Sequence, residues 1–332
     1  KLFSMNVITN LAFSVTFPSV NDSEFIRLHT AIDRLMSLVA AGDPADVFPF
    51  LLSVPLVNRA IYRNHAAVGD ASKTMIAYLD EQYEKQYNLY LDGVSNQNFI
   101  HSLIRAQKKW AKNEDQLEWI NKKYALYALQ DLFAAGLDTS STTLSWMVYF
   151  LSRHPQWQEK IFQEVRSLKV ITAVDRQSCP ITEAVIAEVS RLRPPAPFSL
   201  PHEASVDTPV KWKDPDSGVQ RSAMIPKSTV IIPNIYAACR DRKVFGDNPN
   251  TFNPQRFLDD PDMPKGVQFS VGPRKCIGYP LAQVELFMAT AHLMKSFKVA
   301  LLSKNVPIDE GEFGLTIQPS SFKVHLIERT KK

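Results

Sequence analysis

The 332-residue sequence predicts a mainly α fold with small β-sheets, and three observations carry that prediction. Over most of residues 1–193, apolar side chains recur at three- and four-residue spacing. From Pro194 onward prolines cluster, and short β-branched runs take over from the helical period. A composition of 45% hydrophobic and 22% charged residues is that of a chain able to bury a sizeable core. The expected organisation is a single domain over 1–332, with a helix-rich part at 1–193 and a mixed loop and strand part at 194–332.

In chain order, EFIRLHTAIDRLMSLVAA (24–41), DASKTMIAYLDEQYEKQ (70–86) and PQWQEKIFQEVRSL (155–168) each gather apolar residues on one helical face, with a cap or proline near the start. Between the first two lies DVFPFLLSVPLV (46–57), too short to span a bilayer and broken by two interior prolines. It reads either as a loop covering the core or as one that dips into a membrane surface or roofs a pocket. YALYALQDLFAAGLDTSSTTLSWMVYFLSRHP (124–155) keeps its apolar period straight through five hydroxyl residues, Thr139 to Thr143. In the mixed part, RPPAPFSLP (193–201) is followed by STVIIP (228–233), FKVAL (297–301) and FKVHLI (322–327), which read as strands separated by turns. There is no internal repeat and no low-complexity tract.

Lys and Arg exceed Asp and Glu by 38 to 34, a net +4 spread without a long basic block, which argues against a nucleic-acid partner. Three cysteines, Cys179, Cys239 and Cys276, stand far apart, which argues against a disulfide framework or a thiolate zinc site and fits a reducing compartment. No run of 18 apolar residues occurs, and KLFSMNVITN (1–10) has neither the charged start nor the cleavage site of a signal peptide. The expectation for the sequence as it stands is no membrane span and no address.

The hydroxyl run has two explanations. Either Ser and Thr bond back to the helix or wall a ligand, or the helix starts there with Asp138 or Thr139 as its cap. Gly136, lacking Cβ, permits close approach to the backbone, and Asp138 beside Thr139 puts an acid next to an alcohol, the makings of a proton relay. Glu188 and Arg191 in AEVSRLRPP stand one helical turn apart. Arg256, between Phe252 and Phe257 in FNPQRF, would be held off water and need a carboxylate.

In FSVGPRKCIGYPLAQVE (269–285) a thiol sits at the start of an apolar helix, where negative charge is held at little cost. Cys276 is either one more small buried hydrophobe or a ligand. Gly272 and Gly278 bracket it and would let something flat and large come close, and Arg274 is placed to meet an acidic group on it. A thiolate with a large, flat, acidic ligand describes haem held by an axial cysteine.

Phe269, Gly272, Arg274, Cys276 and Gly278 spell F-x-x-G-x-R-x-C-x-G, and on them the sequence resembles the cytochrome P-450 family, the haem-thiolate monooxygenases. AGLDTS (135–140) is similar to that family's oxygen-activation segment, EVSR (188–191) to its Glu-x-x-Arg, and FNPQRF to the segment whose arginine completes a Glu–Arg–Arg cluster. The resemblance runs over essentially the whole sequence, and the context of His202 in LPHEAS is typical of the animal microsomal branch. It implies haem b, with Cys276 as the iron's ligand and Arg274 and His202 on the propionates. Phe269, Gly272, Gly278 and Ala135 would lie against the macrocycle. Asp138 and Thr139 would move protons, and Glu188, Arg191 and Arg256 would be structural. Phe133, Ala134 and Gly136 would line the distal pocket, joined by Phe198, Ser199 and Leu200 and by the turn at Gly314 to Thr316, Leu315 included.

The implied activity inserts one oxygen atom of dioxygen into a lipophilic substrate. Electrons would come from NADPH through the flavoprotein NADPH-cytochrome P-450 reductase, which Arg274, Lys275 and Lys265 would face. Two other readings stay open: a haem-dependent hydroperoxide isomerase, which needs no electron partner and no acid–alcohol pair, and a truncated, inactive haem-binding remnant. The implied location is the cytosolic face of the endoplasmic reticulum membrane. A mitochondrial relative, the alternative, would carry two basic residues after Cys-x-Gly, where Tyr279 and Pro280 stand. Relatives of this type begin with a membrane anchor, then strands and helices that include a W-x-x-x-R propionate contact. None of the five tryptophans here has an arginine four residues on, so the expectation is an N-terminally truncated cytochrome P-450 fold.

Overall fold

The computed structural model of the chain describes residues 1–40, 48–94, 97–110, 121–214, 217–303 and 310–329. Among the described residues, seven helices dominate the first part. Helix α1 (Leu2–Phe13) is apolar nearly all round and so carries little periodicity; Ser14 closes it in the left-handed conformation at φ 58°, donating to Asn10 O. The predicted amphipathic segment at 24–41 is α2 (Ser23–Ala40), capped by Asp22 Oδ1, which accepts from the Glu24 and Phe25 amides at 3.0 Å; residue 41 lies outside the described residues. Helix α3 (Pro55–Leu91) extends the expected 70–86 stretch to 37 residues. The prolines of 46–57 break nothing: Pro49 opens a 3-10 turn (Pro49–Ser53) and Pro55 opens α3, where no amide bond is lost. Phe48 and Phe50 are exposed and Leu51 is half-buried; residues 46 and 47 of this segment lie outside the described residues.

Helix α4 (Phe99–Trp110) is capped by Asn98, whose Oδ1 accepts from the His101 amide at 2.9 Å. Helix α5 (Lys122–Arg153) runs unbroken for 32 residues, and α6 (Pro155–Val165) and α7 (Pro180–Leu192) follow, each with proline in its first turn. The mixed part carries short helices α8 (Ile235–Ala238), α9 (Arg242–Phe245) and α10 (Arg256–Asp259), then α11 (Tyr279–Ser296).

Among the described residues, eight short strands pair antiparallel in twos. They are β1 (His202–Glu203) with β4 (Val230–Ile231), β2 (Thr208–Lys213) with β3 (Gln220–Ile225), β5 (Phe297–Leu301) with β8 (Val324–Glu328), and β6 (Glu312–Phe313) with β7 (Ile317–Gln318). FKVAL is β5 as expected, whereas only Val230 and Ile231 of STVIIP pair. The β2–β3 hairpin, exposed along nearly its whole length, shows no apolar alternation and gave no strand signal.

Two apolar cores share α5. The first gathers α1 to α4 and α5 up to Leu137; the second starts at Trp146 and gathers α6, α7, α11, β5 and β7. The hydroxyl run of α5 occupies the gap between them.

Candidate functional site

Because α5 is continuous, the reading of a helix start at Asp138 or Thr139 gives way to back-bonded hydroxyls. Thr139 Oγ1 donates to Ala135 O at 2.7 Å, Ser141 Oγ to Asp138 O at 3.2 Å and Thr143 Oγ1 to Thr139 O at 2.9 Å. These bonds satisfy three of the five hydroxyls without leaving the helix. Ser140 to Thr143 are buried, so this stretch walls no open pocket.

Asp131 and Ala135 stand exposed four residues apart on α5, with half-buried Thr139 one further turn on, and together they form an open face. Phe133 and Gly136 turn the other way, a departure from their expected place in a distal pocket. Phe133 is fully buried and stacks on Phe13 of α1, ring centroids 5.7 Å apart. A Cβ on Gly136 would lie 2.9 Å from Ile8 Cδ1, so what approaches this glycine is α1. Ala134 is half-buried.

The acid and the alcohol do not meet either. Asp138 is only 5% exposed, and its Oδ2 accepts from Thr316 Oγ1 at 2.7 Å and its Oδ1 from Gln318 Nε2 at 3.3 Å. Consecutive helical residues diverge by about 100°, which sends Asp138 to the β6–β7 turn while Thr139 stays on the open face. Thr316 was expected only as part of a pocket turn and Gln318 not at all, because nothing in the sequence links them to an acid 178 and 180 positions away.

Asp138, Leu315, Thr316 and Gln318 floor a cavity of about 740 Å3 whose far wall is α2, with His29, Asp33 and Arg34. Ser199, at φ 54°, separates exposed Phe198 from exposed Leu200, and half-buried His202 opens β1.

Cys276 differs from the other two thiols. Cys179 and Cys239 lie in the core, and burial pushes both up to about 11. Cys276 is exposed; its amide donates to Phe269 O at 2.9 Å, and its carbonyl accepts from Tyr279 N at 3.3 Å at the head of α11. Phe269 packs edge-on against Tyr279 at 4.7 Å. Gly272 sits at φ +72°, which requires glycine, whereas Gly278 at φ −77° does not. A Cβ on Gly278 would touch only the Cys276 sulfur, at 3.7 Å, so the chain's own packing does not explain that glycine. Ile277 and Val271, 98% and 82% exposed, are the two most exposed large apolar side chains among the described residues, and they flank the thiol. Arg274 is exposed beside them. A bare thiol amid bared apolar surface, with a free cation adjoining, fits a flat, largely apolar, acidic group such as haem.

Glu188, fully buried on α7, holds two arginines. Its oxygens accept from Arg191 Nε at 2.7 Å and Nη2 at 2.8 Å, from Arg256 Nε at 3.2 Å and from the Asn253 amide at 2.8 Å. Arg191 Nη1 also donates to the carbonyls of Cys239 and Pro249, each at 2.7 Å. The carboxylate that Arg256 needed is thus Glu188, and the cluster ties the 239–256 segment to α7.

The sequence profile described as Cytochrome P-450 matches residues 1–326. Cytochrome P-450 2U1 of Bos taurus is 34% identical over 74% of this chain and 44% of its own length, and that of Homo sapiens is 29% identical over 98% and 58%. Steroid 17-alpha-hydroxylase/17,20 lyase of Squalus acanthias is 29% identical over 97% of this chain and 62% of its own length. The chain thus spans about half the length of the curated relatives it matches. A solved zebra fish cytochrome P-450 with progesterone superposes with a TM-score of 0.80 at 26% identity, over 98% of this chain and 70% of that one; another, with abiraterone, gives 0.77 at 26% over the same shares. A matching profile along nearly the whole chain and the same fold in solved members agree with the exposed-thiol loop, and the chain belongs to the cytochrome P-450 family.

Proposed function

We propose that this chain forms the haem-binding part of a monooxygenase that inserts one oxygen atom of dioxygen into a lipophilic substrate. The observation that carries the reading is the exposed Cys276 thiol between Val271 and Ile277, with an open Gly278 beside it. Cys276 Sγ would ligate the iron, Arg274 and His202 would take the propionates, and Phe269, Gly272, Gly278 and Ala135 would face the ring. Haem, once bound, supplies the iron at which dioxygen is activated.

The chain's own residues do the rest. Thr139, on the open face of α5, holds a hydroxyl proton where it can be passed on, and Asp138, its neighbour in the chain, would be the acid that resupplies it. Ala134, Phe198, Ser199, Leu200 and Leu315 offer a mostly apolar lining for the substrate, while Phe133 and Gly136 support it from behind by docking α5 on α1. Glu188, Arg191 and Arg256 form a rigid mount on which the segment preceding the thiol loop rests.

Exposed Arg274, Lys275 and Lys265 give the thiol side a positive face suited to an acidic flavoprotein, NADPH-cytochrome P-450 reductase, as electron donor. The animal relatives favour the cytosolic face of the endoplasmic reticulum. Among the described residues no helix is long and apolar enough to cross a membrane, and exposed Phe48 and Phe50 offer one surface that could touch the bilayer. The steroid hydroxylase relative and the solved structure with progesterone make steroids and other lipophilic molecules the first substrates to screen. A second reading, a hydroperoxide isomerase, draws on the absence of a bond between Asp138 and Thr139 in the structure.

Cys276→Ser tests the site: the variant should lose thiolate-type haem and NADPH-driven product together. Full turnover by the variant would refute the assignment, and conversion of a lipid hydroperoxide without NADPH would favour the second reading.

A further inference from the structure

Asp138 is buried, and the structure engages both of its carboxylate oxygens. Thr316 Oγ1 donates its one proton to Oδ2 at 2.7 Å, and Gln318 Nε2 donates to Oδ1 at 3.3 Å. Thr139 makes no bond to this acid; its hydroxyl goes to Ala135 O. The two donors ride on a turn that is fixed by other means. Ile317, between them, donates its amide to Pro195 O at 3.0 Å, and its carbonyl accepts from Trp146 Nε1 at 2.7 Å. The mount can therefore stay in place while the side-chain bonds to Asp138 open and close. Asp138, Thr316 and Gln318 all line the cavity of about 740 Å3, so a molecule there has direct access to the bond.

We propose that Thr316 is a positioning residue, whose hydroxyl stores the Asp138 carboxylate away from Thr139 until a substrate bearing an acceptor oxygen takes that hydroxyl for itself. A lipophilic molecule with a carbonyl or hydroxyl oxygen at one end fits this demand: it replaces the carboxylate as acceptor on Thr316 Oγ1 and frees the acid to turn toward the open face. A pure hydrocarbon, which offers Thr316 no acceptor oxygen, leaves the acid stored. The arrangement ties proton supply to occupancy, and it rests on the reading of Thr139 as the relay alcohol.

The test uses the haem-loaded chain and compares Thr316→Val, which keeps shape and loses the hydroxyl, with Thr316→Ser, which keeps the hydroxyl. The first readout is amide hydrogen exchange over residues 311–318, which needs no turnover. Thr316→Val and Asp138→Ala should each speed exchange about tenfold, the worth of one hydrogen bond to a charged group, and the double variant no further; Thr316→Ser should match the wild type. The second readout is substrate-free NADPH oxidation with the reductase, in which NADPH and a proton reduce dioxygen to hydrogen peroxide. It should rise severalfold in Thr316→Val alone. Should that variant fail to fold by circular dichroism, Thr316→Ala replaces it.

Equal exchange in the Val and Ser variants overturns the bond. Faster exchange with unchanged peroxide release overturns the gating and leaves a fastener. A chain that shows the coupled exchange yet never a thiolate haem spectrum overturns the proposed function and the gating with it, while the bond itself stands.

Discussion

Glu188 is the single residue whose loss the fold should tolerate least. Fully buried and bonded to two guanidinium groups, it cannot be removed without stranding charge in the interior. Glu188→Ala should cost about 3–5 kcal/mol in urea unfolding, and a cost below about 1 kcal/mol would mean the arginines find water instead. Glu285 on α11 is another buried carboxyl. Burial raises its pKa, with the nearby Ser4 and Ser140 hydroxyls pulling the other way. An acid raised on folding favours the folded state while it is protonated, below the unfolded carboxylate value of about 4.3, and that contribution is lost as pH rises through the folded value. Glu285→Gln, always neutral, should therefore gain in melting temperature over the wild type as pH goes from about 4 to about 7, and a pH-independent difference would contradict it. The sequence showed the Glu188–Arg191 pair through its one-turn spacing and Arg256 through its aromatic flanks, because both signals are local. It was silent on Glu285, whose hydroxyl neighbours come from α1 and α5.

At the scale of elements, α5 was legible because its apolar period ran on through the hydroxyls; what the period could not say is which face meets what. Gly136 shows the difference. Alanine there should gain about 1 kcal/mol of helix propensity, offset by its 2.9 Å contact with Ile8 Cδ1. In an Ile8→Val background, which removes that atom, Gly136→Ala should therefore stabilise by about 1 kcal/mol, and by less in the wild type. An equal gain in both would show that α1 does not press on this glycine. Trp146 pins β7 to the same helix through its indole N–H, and Trp146→Phe should cost about 1–3 kcal/mol by orphaning the buried Ile317 carbonyl. Helix α1 and the β2–β3 hairpin gave no sequence signal for opposite reasons: one is apolar nearly all round, the other exposed nearly all along.

For the whole molecule, two apolar cores share one helix, and the polar chemistry is confined to the seam between them and to the thiol loop at the head of α11. That partition explains why motif residues 100 positions apart could be read singly, while Asp138 and Thr316 could be joined only by the fold. The chain spans about half the length of the curated relatives it matches, so the account depends on whether these 332 residues suffice to hold the group that their thiol loop fits. The direct measurement is the absorbance spectrum of the purified chain reconstituted with haem, reduced and exposed to carbon monoxide. The account predicts a Soret band at the long-wavelength position peculiar to a thiolate ligand, lost in Cys276→Ser. A band at the ordinary imidazole-type position, or no haem retained, would contradict it.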